Sequence, residues 1–223
     1  MAKAKPTSRK KSGFDENRII AEFINQTLEE GKRPASIYKF CKELDLKEDD
    51  FYAKFGSFDA LESKIWERFM TETIDTLHGD SSYVGFSVRE KVLAFYYTFI
   101  EVIRKERSFL LFESAEWKKL TMPPRYIARL RPAFDDWIRT LVEEGIESGE
   151  IAKRPYLERR YPEVLWYHFL FVVHFWLNDD SPGMEQTDAA IEKSVNLAFE
   201  VIGQGVLEQS VDFGKFLYQN MKY

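Results

Sequence analysis

Three histidines, one cysteine and adjacent carboxylate pairs such as Asp135-Asp136 and Glu143-Glu144 have the capacity for acid–base, nucleophilic or metal chemistry. His168 and His174 stand six positions apart, which on a helix turns them toward different sides and leaves them unable to share a metal ion. His78 falls in a glycine-containing stretch read as a loop. Cys41 lies on the apolar side of a short helical segment, where a thiol behaves as a small hydrophobe. Asp135-Asp136 and Glu143-Glu144 read as solvated helix faces. No glycine-rich phosphate loop, metal-spaced Cys/His cluster or nucleophile elbow is present in the sequence. The expectation is a non-enzyme with no cofactor and no metal site.

Charge is the next candidate for chemistry. The formal net charge is −5, but its distribution is uneven. Residues 1–12 carry Lys3, Lys5, Arg9, Lys10 and Lys11 without an acid, and the remaining chain holds 27 basic against 37 acidic residues. A basic arm on an acidic body can follow a nucleic-acid backbone, or serve only as a solubilising terminus. Between Glu43 and Asp50 the balance is reversed, with five acids and one base.

The elements that must position these residues are helical. Glycine (11) and proline (8) are sparse, and the prolines gather at Pro34, Pro123-Pro124, Pro155, Pro162 and Pro182. The long stretches between them favour helices. Phe14, Ile19, Ile20, Phe23, Ile24 and Leu28 recur at helical spacing over 12–30, with Ser12 and Asp15 as a capping box and Gly31 as the stop. A short helix over 37–44 is capped by Ser36, Asp45-Leu46 forms a tight turn, and a third helix spans about 48–55. Gly56 ends it, and Ser57 opens a longer helix to Leu77. Residues 78–86 read as a loop. Further helices are expected over 87–104, 108–120, 125–148 (with Pro132 kinking it or near its first turns), 162–177 and 185–209, with a short one near 213–221.

Two short helices joined by a tight turn, packed on a longer one, make a helix-turn-helix unit. The string FCKELDLKEDDFYAKFGSFDAL, Phe40 to Leu61, resembles without a gap the second to fourth helices of the tetracycline-repressor (TetR) family. Cys41 takes the place of a small residue and Leu46 that of the turn's buried aliphatic. Phe51, Tyr52 and Phe55 occupy recognition-helix positions, and LVEEGIESGEI at 141–151 resembles a helix end of the family's C-terminal domains. The resemblance implies that the helix after the turn enters the major groove of DNA. Lys39, Lys47, Asp50, Tyr52 and Lys54 are then the DNA-binding candidates, alongside Lys64 and the arm. The chain departs from the family at Lys47, followed by three acids, and at Phe58, where Lys is common. Three carboxylates in a first turn favour the helix by about 0.3–1 kcal/mol each, yet oppose phosphates. A carboxylate can accept a hydrogen bond from cytosine's amino group.

The resemblance also implies an all-α fold with a basic arm (1–12), a three-helix helix-turn-helix domain (13–58) and a helical bundle (59–223) for effector binding and dimerisation. An aromatic pocket for a small apolar or amphipathic effector would draw on Tyr97, Phe112, Trp117, Trp137, Trp166, His168 and His174. Ordinary core packing explains the same residues. The stripe Ile191, Val195, Phe199, Ile202 and Val206 fits a two-fold interface between copies, or burial within one chain, with Gly203 and Gly205 suited to close helix approach. The implied function is a regulator, most simply a repressor, acting as a homodimer on a double-stranded operator. The alternative is a TetR-fold chain that has left DNA for a lipid, an isoprenoid or a protein partner, since the fold is known in a lipid-binding protein of ubiquinone biosynthesis. The lone cysteine, the absence of an apolar signal core and the lack of a membrane-length apolar run point to the cytoplasm.

Overall fold

A computed structural model describes residues 15–115, 117, 123–155, 157–203 and 205. The expected arm, Ser12, Phe14, Val206 and the helix near 213–221 lie outside the described residues. Every regular element among the described residues is helical, so the fold is all-α. The chain divides into two units, Met1–Glu62 and Ser63–Tyr223.

In the first unit, helix α1 spans Glu16–Glu30, with Asp15 as its N-cap and Gly31 closing it in the left-handed conformation at φ 61°. Asp15 therefore occupies the cap position itself, not the third helical position of a capping box. Helix α2, Ile37–Glu43, begins at Ser36, whose Oγ accepts the Lys39 amide at 3.1 Å. The turn is made by Leu44 to Lys47, with Asp45 at φ 52°. Helix α3 is one turn and a half, Glu48–Tyr52, shorter than expected because Ala53 and Lys54 already belong to the turn leading to Gly56. Ser57 Oγ then accepts the Ala60 amide at 3.1 Å and starts helix α4, Phe58–Gly79.

Phenylalanines hold these short helices together. Phe40 meets Phe51 edge-on at 6.0 Å and Phe58 at 5.6 Å, while Phe23 lies 5.2 Å from Phe58 and Phe55 lies 5.6 Å from Phe51. All five are buried. Phe58 is thus a core residue, which explains why a lysine would not fit at this position.

The second unit contains α5 (Val88–Arg104), α6 (Arg107–Ser114), α7 (Arg125–Ala128), α8 (Arg131–Ser148), α9 (Tyr161–Leu177) and α10 (Glu185–Ile202). The single helix expected over 125–148 is two, because Arg129 and Leu130 form a turn and Pro132 sits in the first turn of α8, where its missing N–H costs nothing. The loop expected from 78 to 86 contains the end of α4 and a 3-10 turn, Tyr83–Gly85, anchored by buried Tyr83. A capping box between Ser87 and Glu90 starts α5, and Glu150 adds a second cap by accepting the Val88 and Arg89 amides at 2.9 and 3.2 Å. Helix α9 is the central one: it buries Leu165, Trp166, Phe169, Leu170, Val172, Val173 and Trp176 and packs against α5, α6, α8 and α10.

Candidate nucleic-acid interface and sensing body

The phenylalanine core fixes which residues of the first unit can meet a partner. On α3 only Phe51 is buried, so Lys47, Asp49, Asp50, Tyr52, Ala53 and Lys54 are exposed. Tyr52, 51 % exposed, rests edge-on against Phe51 at 5.8 Å. Of the expected DNA-binding residues, Lys47, Asp50, Tyr52 and Lys54 therefore cluster on one short helix and its exit turn. Lys39 is set apart: its ammonium lies 3.6 Å from Glu30 and 3.5 Å from Glu43. A phosphate would have to displace those carboxylates. Arg33 is held similarly, at 2.6 Å from Asp59 and 3.0 Å from Glu62, with its guanidinium over Phe58.

Buried Cys41 lines a surface groove of about 430 Å³ with Tyr38, Lys42, Leu46, Lys47, Glu48 and Asp49. Its thiol pKa is pushed up by burial, and further by Glu48 and Asp50, which disfavours the thiolate.

In the second unit the expected pocket residues separate into four groups. Trp137 and Trp166 belong to a ring-on-ring core: Trp137 stacks on Phe95 at 4.0 Å, Phe134 meets Trp166 at 5.4 Å, and Trp166 stacks on Phe169 at 5.6 Å. These rings fill space by touching one another. His168 joins a hydrogen-bonded chain, with Tyr96 Oη 2.8 Å from Nδ1 and Ser194 Oγ 2.8 Å from Nε2. Ser194 Oγ in turn donates to the Ile191 carbonyl at 3.3 Å. A neutral ring with its proton on Nε2 satisfies every link, with Tyr96 donating to Nδ1. Burial holds the His168 pKa down at about 4 and pushes that of Tyr96 up. Trp117 and His174 form a separate edge-on pair at 5.3 Å. Tyr97 and Phe112 are exposed.

Sequence reasoning missed Trp176. It is fully buried, and its indole Nε1 has no hydrogen-bond partner among the described residues. Arg107 lies over the ring at 4.6 Å and donates to the Trp176 and Asp179 carbonyls, both at 2.8 Å, closing the end of α9. Burial works against ionising Asp179, but hydrogen bonds from Ser181 and Thr187 overcome it and hold its pKa at about 2. An apolar run predicts that such a tryptophan is buried, but only the structure shows its donor unused.

The four described residues of the stripe expected at an interface are core within the chain. Ile191 and Val195 are fully buried within the chain, and Phe199 and Ile202 nearly so, because α10 packs this face on α5 and α9. Gly203 makes its close approach inside the chain too: a Cβ there would lie 2.5 Å from the Phe199 carbonyl and 3.3 Å from that of Glu150. A Cβ at Gly205 would meet nothing within 4 Å. On α9 the exposed large apolar residues are Val164, Tyr167 and Phe171, and on α10 they are Leu197 and Val201. Their spacings of three and four place each set along one side of its helix.

Among the described residues, no group of three or more His, Cys, Asp or Glu could hold a metal ion, and no helix is long and apolar enough to cross a membrane. The family model for the tetracyclin repressor-like C-terminal domain matches residues 91–217. A proposed tetR family transcription regulator from Shewanella sp. PV-4 is similar in structure, with TM-score 0.60 and 14 % identity over 85 % of this chain and 98 % of that one. A protein of unknown function from Rhodococcus sp. RHA1 gives TM-score 0.57 and 14 % identity over 89 % of this chain and all of the other. No curated protein matches the chain.

Proposed function

We propose that this chain, which belongs to the tetracyclin repressor-like family, is a dimeric DNA-binding regulator whose helical body senses a small, mostly apolar effector. The observation that carries the DNA-binding part is the exposure of Lys47, Tyr52 and Lys54 on and beside α3 while the phenylalanine core holds that helix in place. A helix so held can enter a major groove, with Lys47 and Lys54 on phosphates and Tyr52 or Asp50 at base edges. Two copies joined through the exposed sides of α9 and α10 would bury Val164, Tyr167, Phe171, Leu197 and Val201, and a two-fold pair of heads reads an inverted repeat. The Trp176 indole N–H, without a partner among the described residues, offers an effector one hydrogen-bond donor. Such an effector acts only if it binds the DNA-competent and released conformations unequally, whether the outcome is repression or activation.

The acid-rich start of α3 favours a second reading, in which the fold serves a lipid-like ligand or a protein partner and no longer DNA. Selection from a random duplex library by the purified protein, followed by sequencing, separates the two. Enrichment of an inverted repeat, with half-sites about 34–36 Å apart or a multiple of that, is the expected result. A library that emerges without any enriched sequence overturns the DNA-binding reading.

A further inference from the structure

On the outer side of the second unit, α8 and the segment leading into α9 enclose a groove of about 400 Å³. Arg139, Val142, Glu143, Ile146 and Glu147 of α8 form one wall, and Lys153, Glu158, Arg159 and Pro162 form the other. Val142 and Pro162 are buried and Ile146 half-buried, so the floor is apolar. Around that floor stand three cations and three carboxylates. Among the described residues none of these six forms an ion pair, although Arg139 and Glu143 have the i,i+4 spacing that favours one. Charges just outside the groove do pair: Arg131 with Asp135, Glu144 with Lys91, and Arg160 with Glu163.

The groove is also built firmly. Gly149 closes α8 at φ 82°, the Ile151 amide donates to the Gly145 carbonyl at 2.8 Å, and the Ala152 amide donates to Ile202 at 2.9 Å. Beyond Lys153, the Arg154 guanidinium donates to the carbonyls of Val201, Ile202 and Gly203 at the end of α10. The segment bearing Lys153 is therefore pinned on both sides, which lowers the ordering cost of binding.

We propose that this groove binds a small amphipathic zwitterion of the amino-acid or dipeptide class. Its ammonium meets Glu143 and Glu147, its carboxylate meets Arg139 and Lys153, and its apolar side chain lies on Val142, Ile146 and Pro162. The volume is at the lower end of the roughly 300–1,000 Å³ of small-molecule sites. Both signs of charge stand ready without a partner to displace, which matches a ligand that carries both.

The test is calorimetric titration of the full-length protein with the dipeptide Leu-Leu, its N-acetyl form, its C-terminal amide and the doubly capped form. Leu-Leu should bind with a Kd in about the millimolar range, and each cap should weaken binding about fivefold, the upper limit for an exposed charge pair. E147Q should weaken Leu-Leu and its amide but leave the N-acetyl form unchanged, and R139Q should show the mirror-image pattern. That charge-specific pattern separates loss of a contact from loss of folding. No saturable heat with Leu-Leu, equal binding of all four forms, or equal loss of all forms in either variant would overturn the proposal, as would binding confined to longer peptides, which would assign the groove to a protein partner.

Discussion

The two units bury their interiors by different means. The first is closed by Phe23, Phe40, Phe51, Phe55 and Phe58, while nearly every charged residue lies outside. The second also buries rings, but threads hydrogen-bonding groups through them: the Tyr96–His168–Ser194 chain, Lys91 against Glu144, and an indole N–H without a partner among the described residues. A core closed mainly by ring contacts holds one arrangement and leaves its surface free to change; its buried polar groups are few, Glu62 against Arg33 and the Thr27 hydroxyl. A core with polar links contains contacts that a proton or a ligand can make or break. The difference fits the function proposed above, in which the first unit holds a surface in place and the second responds.

The comparison is broken most severely by removing a ring from the first core. F51A should cost about 3–5 kcal/mol in chemical denaturation, because a fully buried phenyl leaves a cavity, whereas Y52A next to it should stay within about 0.5 kcal/mol. Equal costs would mean that α3 is not seated as described.

The second unit should respond to pH through His168. Its folded pKa, about 4, lies below the ordinary value of 6.5, so between those pH values the unfolded chain binds a proton that the native chain refuses. Stability should therefore fall as pH drops through that window, by up to about 3 kcal/mol. H168Q should remove this part of the slope between pH 7 and 5. An unchanged slope would mean that the histidine is not held neutral.

A smaller effect sharpens the assignment of faces on α9 and α10. F171D should weaken the proposed dimer by about 2 kcal/mol, seen as dissociation in sedimentation, while leaving the protomer folded. Smallest of all, S36A should cost about 1 kcal/mol by releasing the α2 cap, measured by thermal unfolding against wild type.

The first unit was largely legible in the sequence because its short helices bury one side only. Ser36 as a cap and Cys41 as a buried residue have the expected roles for that reason, whereas Phe51 belongs to the core. Phe58 was legible as a departure but not as a core residue, since its burial depends on Phe23 and Phe40 from other helices. In the second unit an apolar residue could lie in the core or on an outer face, because α9 and α10 carry both. Periodicity finds Ile191 and Val195, but cannot say that the opposite side, with Leu197 and Val201, is the exposed one. The aromatic residues of the second unit pose the same problem: composition names Trp137, Trp166 and His168 together, and only the fold separates stacked rings from a hydrogen-bonded chain.

The most direct test of the first unit's role is fluorescence anisotropy of the protein with its own upstream duplex and an unrelated duplex, at low and moderate salt. The account predicts tighter binding to the upstream duplex, affinity that falls as salt rises, and weakened binding in Y52F and K54Q. Equal, weak binding to both duplexes even at low salt would contradict it and show that the acids of α3 have closed this surface to DNA.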